Sequence, residues 1–164
     1  MVIELKKTLK HIILLTTCIL GIVGCDEMDC SLNNIVECKI AFYNAKREPV
    51  ALTDTLTITA AGTDSILYNR GVRTSSVGIP LSYFKEKDTL MLNIYGEGYM
   101  IKERLIIKKR SFQHVESIDC PLKVFHYLQG AESTHQVIDS VKIASHEVNY
   151  DNGENIQIYL HSGD

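Results

Sequence analysis

From Ile35 onward, apolar and polar residues alternate in short runs, and turn-forming residues separate the runs. A period of two marks a strand with one buried and one wet face. Over 36–43, Val36, Cys38, Ile40 and Phe42 share one side, with Glu37 and Lys39 on the other. The stretch 44–49 ends in Pro49 and reads as a turn. Over 55–59, Leu56 and Ile58 point inward between three outward threonines. A short strand follows at 65–69. Another, at 77–81, contains Pro80 and is expected at a sheet edge, because proline cannot donate to a ladder. Leu90, Leu92 and Ile94 alternate inward, and Gly96-Glu97-Gly98 turns the chain into a strand over 99–109. Two strands at 114–119 and 123–128 are expected to pair around Cys120-Pro121. The last two are expected at 138–144 and 155–160, joined by a hairpin at Tyr150-Asp151-Asn152-Gly153, since Asn-Gly favours tight turns.

This pattern predicts an all-β fold: an antiparallel β-sandwich of about 8–10 short strands, Ig-like or a related Greek key. No stretch has the period of an amphipathic helix. Asp54-Thr55, Asp64-Ser65, Asp88-Thr89 and Asp139-Ser140 each open a strand. The Asp side chain accepts backbone N–H groups just ahead of it and ends a turn.

The first residues follow another pattern. Lys6, Lys7 and Lys10 oppose a single acid, Glu4, and residues 12–23 are apolar except for Thr16 and Thr17. That is the layout of an export leader. The apolar run has 12 residues, whereas a membrane-spanning helix needs roughly 20. The leader ends in Leu20-Gly21-Ile22-Val23-Gly24-Cys25, and its last four residues resemble a bacterial lipobox. The resemblance implies cleavage after residue 24 and diacylation of Cys25 with palmitate-type chains. Two or three such chains hold a protein on a bilayer where one does not. An ordinary signal peptide before a structural cysteine is the alternative. Residues 1–24 are thus read as a lipoprotein signal peptide, 25–34 as an acidic tether and 35–164 as one β-sandwich domain.

The tether carries Asp26, Glu27 and Asp29. Similar stretches in lipoproteins of the Bacteroidota direct export to the outer leaflet of the outer membrane. In other Gram-negative bacteria an Asp in the place of Asp26 implies retention at the inner membrane. A plain charged spacer is the third reading. The expected location is the outer membrane, facing the periplasm or the cell surface.

Charge and composition narrow the partners. The leader takes three of 17 basic residues and one of 20 acidic ones, leaving a net charge of −5. Nucleic acid binding needs a basic face and is not expected. With no Trp, eight Tyr and four Phe, any stacking platform must be built mainly from Tyr. Of the five cysteines, Cys18 leaves with the leader and Cys25 is assigned to lipid. The register of the first strand turns Cys38 inward as a small hydrophobe. A Cys30–Cys120 disulfide is therefore expected, with Cys38–Cys120 as the alternative.

The segments Asp54-Thr55-Leu56-Thr57, Asp64-Ser65-Ile66-Leu67-Tyr68-Asn69, Ile79-Pro80-Leu81, Ser117-Ile118-Asp119-Cys120 and Ile138-Asp139-Ser140-Val141 resemble a family of small uncharacterised Bacteroidota lipoproteins. That family carries only a domain-of-unknown-function label. The resemblance spans nearly all the chain after the leader, implies no catalytic residue, and places paired cysteines at Cys30 and Cys120.

Candidate chemistry is sparse. His114 with Glu116 shares a strand face, but a metal needs three or four converging ligands, so no metal or cofactor is expected. Asp151, Asn152, Glu154 and Asn155 are the best oxygen cluster for calcium, and solvated turn residues account for them. Asp139-Ser140 with His126 or His135 would be needed for nucleophilic catalysis, yet no nucleophile-elbow motif is present. Lys108-Lys109-Arg110 is read as a solvated strand end. The expected function is non-catalytic: a binding or assembly accessory module for another envelope protein, which would add a strand at the 77–81 edge. The alternatives are glycan recognition near Tyr68, Tyr95, Tyr99 and Tyr150, and a small envelope hydrolase.

Overall fold

The structure, a computed structural model, describes residues 35–63, 65–118, 120–151 and 153–161. The leader, Cys25 and the tether with Cys30 lie outside the described residues. Everything described falls within one compact unit and contains no helix.

Ten strands form. They are β1 (Glu37–Tyr43), β2 (Thr55–Ala60), β3 (Ile66–Gly71), β4 (Ser76–Pro80), β5 (Lys87–Gly96), β6 (Tyr99–His114), β7 (Lys123–Ser133), β8 (Ile138–Ile143), β9 (Glu147–Val148) and β10 (Ile156–Leu160). One sheet has the order β4-β1-β10-β8 and the other β3-β2-β5-β6-β7-β9. Inward residues of both sheets share one apolar cluster, including Ile40 and Phe42 of β1, Ile158 of β10, Leu56 of β2, Leu92 of β5 and Ile107 of β6. The fold is an all-β sandwich, and the alternation in the chain is what places each of these side chains inside. β4, which carries Pro80, is an edge strand as expected.

Three features depart from the sequence reading. First, not every pair is antiparallel: β1 and β10 run parallel, with Ile40 opposite Ile156 and Phe42 opposite Ile158. Parallel neighbours need a long crossover connection, and here nearly the whole domain supplies it.

Second, 114–119 is not a strand. β6 continues unbroken to His114 and 115–122 is the connection to β7. β6 serves two partners in staggered registers. Residues Tyr99 to Lys108 pair with β5, and Leu105 to His114 pair with β7. A bulge opposite Lys108 and Lys109 restores the inward parity of β7.

Third, residues 150–153 do not join β8 to β10 in a hairpin. β9 intervenes and pairs with β7 in the larger sheet, so this segment crosses between sheets. Asn155 holds the crossing. Its Oδ1 accepts from Lys39 N at 2.9 Å and its Nδ2 donates to Glu147 O at 2.7 Å.

Cys38 points inward, is fully buried and is the free cysteine among the described residues. Burial, with the Asp88 charge adding, pushes its thiol up to about 12. A Cys38–Cys120 bond is therefore excluded. Cys120 is not a free thiol.

Candidate functional site

The sandwich opens at the end where β6 begins. The Gly96-Glu97-Gly98 turn, with Gly98 at φ 81°, reverses the chain and sets Tyr99 over Gly96. Any Cβ on Gly96 would meet the Tyr99 ring at 2.1 Å, so only glycine lets the ring lie there. Tyr99 then donates to Asp54 Oδ2 at 2.5 Å, which links β6 to the connection between β1 and β2. That bond, then burial and the Asp54 charge, raise the Tyr99 pKa. The phenol stays protonated and acts as a donor.

Beside this pair lies a cleft of about 480 Å³. Val50, Leu52, Ile94, Ile101, Val137 and Leu160 make it largely apolar, and Asn44, Gln136 and His161 add polar groups. A concave apolar site with a few polar groups is the usual form of a ligand site. Nothing among these residues pairs a nucleophile with a base.

The four tyrosines of the alternative glycan reading do not converge. Tyr99 lines this cleft, whereas Tyr95 sits in a separate, smaller groove with Thr55, Thr57 and Arg70. Tyr68 bonds Thr74 through its hydroxyl at 3.2 Å. Tyr150 meets Phe125 edge-on, 5.1 Å between centroids.

The candidate catalytic groups Asp139 and Ser140 meet His161 rather than His126. Asp139 lies 3.8 Å from His161 Nδ1 and accepts the Ser140 hydroxyl at 3.2 Å. The carboxylate therefore sits between serine and histidine, and the hydroxyl donates to the carboxylate rather than to a histidine nitrogen. His135 is held by the carbonyls of Ile138 and Asp139, each at 3.0 Å. His114 stacks on Phe125 at 4.3 Å. No group of three or more His, Cys, Asp or Glu side chains suited to a metal occurs among the described residues. In the oxygen cluster weighed for calcium, Glu154 bonds Tyr43 and Gln157, and Asn155 is buried rather than a solvated turn residue. Asn152 lies outside the described residues.

Alternation along β6 places two charged side chains in the core: Lys109, expected in a solvated strand end, and Glu103, which the sequence did not single out. Lys109 is 0 % exposed; only its neighbours Lys108 and Arg110 reach water. Its ammonium donates to the carbonyls of Ser82 and Lys85 and to Ser111 Oγ at 3.2 Å, and lies 3.5 Å from Asp88. Asp88 in turn accepts Ser82 N–H at 3.0 Å, so the pair grips both polarities of the 82–85 backbone.

At the other end, Glu103 is also fully buried. It accepts the N–H groups of Thr134 (2.8 Å), Gln136 (2.7 Å), Val137 (2.9 Å) and Ile138 (3.3 Å) and the Thr134 hydroxyl. Burial pulls its pKa upward, but these bonds outweigh burial and the net shift is downward.

Ser111 Oγ lies 2.9 Å from His126 Nδ1. An ammonium can only donate, so Ser111 accepts from Lys109 and passes its own hydrogen to Nδ1. The ring proton then sits on Nε2, which is buried without a hydrogen-bond partner. Burial, then the Lys109 charge, lower the His126 pKa from 6.5 to about 4. This neutral, enclosed ring is a structural group, closed to substrate. Because its folded pKa lies below its unfolded one, its contribution to stability is complete above pH 6.5 and is lost as pH falls towards 4. Urea midpoints measured across that range should drop in the wild type and drop less in His126→Phe. Equal slopes would show that His126 titrates normally.

Residues 55–160 match a family of unknown function, DUF6452. The chain belongs to that family. The DUF6452 match takes in β2 to β10, and with them Ile94, Tyr99, Gln136 and Leu160 of the cleft; β1 and the 44–54 wall precede it. No curated protein and no solved structure matches the chain.

Proposed function

We propose that the protein is a lipid-anchored envelope lipoprotein of the Bacteroidota type, tethered through Cys25. Its β-sandwich acts as a binding or assembly accessory module without chemistry of its own. The observation that carries the binding role is the cleft beside Asp54 and Tyr99. Its apolar lining suits an apolar side chain of another envelope protein, and the edge strand β4 is available for a partner strand. The leader layout and the lipobox resemblance support the anchor. The inward Cys38 supports a Cys30–Cys120 disulfide, which closes a loop of about 90 residues and stabilises by roughly 4 kcal/mol in the chain-entropy model.

The test is affinity purification of the tagged full-length protein from cross-linked membranes. One stoichiometric envelope protein should co-purify, and it should be depleted with Tyr99→Ala or Asp54→Ala. If nothing co-purifies, the assembly role falls. Mass spectrometry of the same sample should find acylated Cys25, and non-reducing peptide mapping should join Cys30 to Cys120. A free Cys30 would remove that bond. A glycan ligand is the second reading, favoured by the exposed Tyr99 ring beside a carboxylate and two amides. Silence across a glycan array would dispose of it.

A further inference from the structure

The connection between β6 and β7 carries three outward apolar side chains: Val115 is 60 %, Ile118 98 % and Leu122 56 % exposed. Single exposed apolar residues are ordinary. Three of them within eight residues at the tip of one hairpin are a surface. Directly below the tip, aromatic rings line the outer face of the two strands. Phe112 and Phe125 face each other across the ladder with centroids 6.1 Å apart. His114 stacks on Phe125, and Tyr150 packs against it edge-on. Charged Arg110, and Lys108 with its partner Glu132, lie further down β6. Apart from the exposed Glu116 of the tip, aliphatic tip, aromatic collar, then charge is the order in which side chains meet a bilayer from its hydrocarbon outward.

We propose that this hairpin tip contacts the membrane and places Val115, Ile118 and Leu122 in the phospholipid interface beside the lipid anchor. The inference rests on the anchor and on the Cys30–Cys120 bond of the proposed function. Cys120 is part of the tip, and Cys30 is five residues from Cys25, a reach of about 17 Å when extended. Acyl chains at Cys25 would thus hold the tip against the bilayer, and one anchor would gain a second contact. β6 runs from Tyr99 at the cleft to His114 at the tip, up to about 50 Å at the rise of a strand. The cleft then faces away from the lipid.

The chain has no Trp, so Ile118→Trp in the full-length acylated protein gives a signal without background. Met100→Trp, at the cleft end, is the control. In phosphatidylethanolamine–phosphatidylcholine vesicles, Ile118→Trp should shift to the blue and lose most of its emission to lipids brominated near the headgroups. Met100→Trp should keep its emission and remain open to aqueous acrylamide. Vesicle flotation separates the two readings. A protein that floats while Ile118→Trp stays open to acrylamide and blind to the brominated lipid keeps its anchor and overturns the hairpin contact. A protein that does not float overturns the anchor, and the contact with it.

Discussion

Replacing Glu103 by alanine should lower the unfolding midpoint by more than about 10 °C, a loss of about 4 kcal/mol or more. The carboxylate is the shared acceptor for four backbone N–H groups and one hydroxyl of the 134–138 segment. Each buried donor left without a partner costs about 1–3 kcal/mol, against a total stability of about 5–15 kcal/mol. Glu103→Gln should recover only part of the loss. It keeps the shape and one acceptor, but turns an NH2 group towards donors. Thermal unfolding followed by circular dichroism reads the effect, and limited proteolysis near residue 135 tells whether the loop alone is released. A midpoint within a degree or two of wild type would mean that water replaces the carboxylate. The downward pKa shift adds a sign. The contribution of Glu103 is complete above its unfolded pKa, about 4.3, and is lost as pH falls through the lower folded value. The acid limb of the stability curve should therefore be shallower in Glu103→Ala.

Lys109→Met should be comparably severe, about 3–5 kcal/mol, the range for breaking a buried charge pair by removing one partner. Methionine fills the volume but abandons the Ser82 and Lys85 carbonyls and leaves Asp88 facing no ammonium. Asp88→Asn in the same chain should recover part of the loss, since the amide oxygen still accepts Ser82 N–H and no buried charge remains. A second readout separates this from simple packing damage. The Lys109 charge is one of the two causes that depress His126, so the His126 titration followed by NMR should move upward in Lys109→Met. An unmoved titration would mean that the ammonium does not act on the ring.

Much of this architecture was legible in the chain because period-two alternation is a direct consequence of a two-sided sheet. Leu56 and Ile58, Leu90 to Ile94, and the inward Cys38 all followed from it. The same rule, carried two residues beyond Leu105 and Ile107 in each direction, reaches Glu103 and Lys109. Lys109 was placed in solvent because a charge usually belongs there, and that expectation overrode the register; Glu103 was not singled out. Which backbone groups they gather depends on loops far away in sequence, 134–138 and 82–85, and no local pattern reports that. The parallel pairing of β1 with β10 was hidden for the same reason. The cleft was only half visible. Tyr99 stood out as an aromatic near a turn, but Asp54 had been read as a turn residue opening β2. The apolar lining comes from five separate places in the chain.

The place of β10 between β1 and β8 sets an order of events. A chain that emerges amino end first has β1 in hand long before Ile156 to Leu160 arrive, and β8 shortly before, yet those two strands have nothing to join them. Until then Ile40, Phe42 and Val141 lack the neighbours they face in the finished sheet, and both strands offer open edges to any other chain. Contacts between the first and last strands are also the slowest kind to form. The smaller sheet therefore closes only once β10 has been made, and the open interval before that is when such a chain has most need of protection from aggregation.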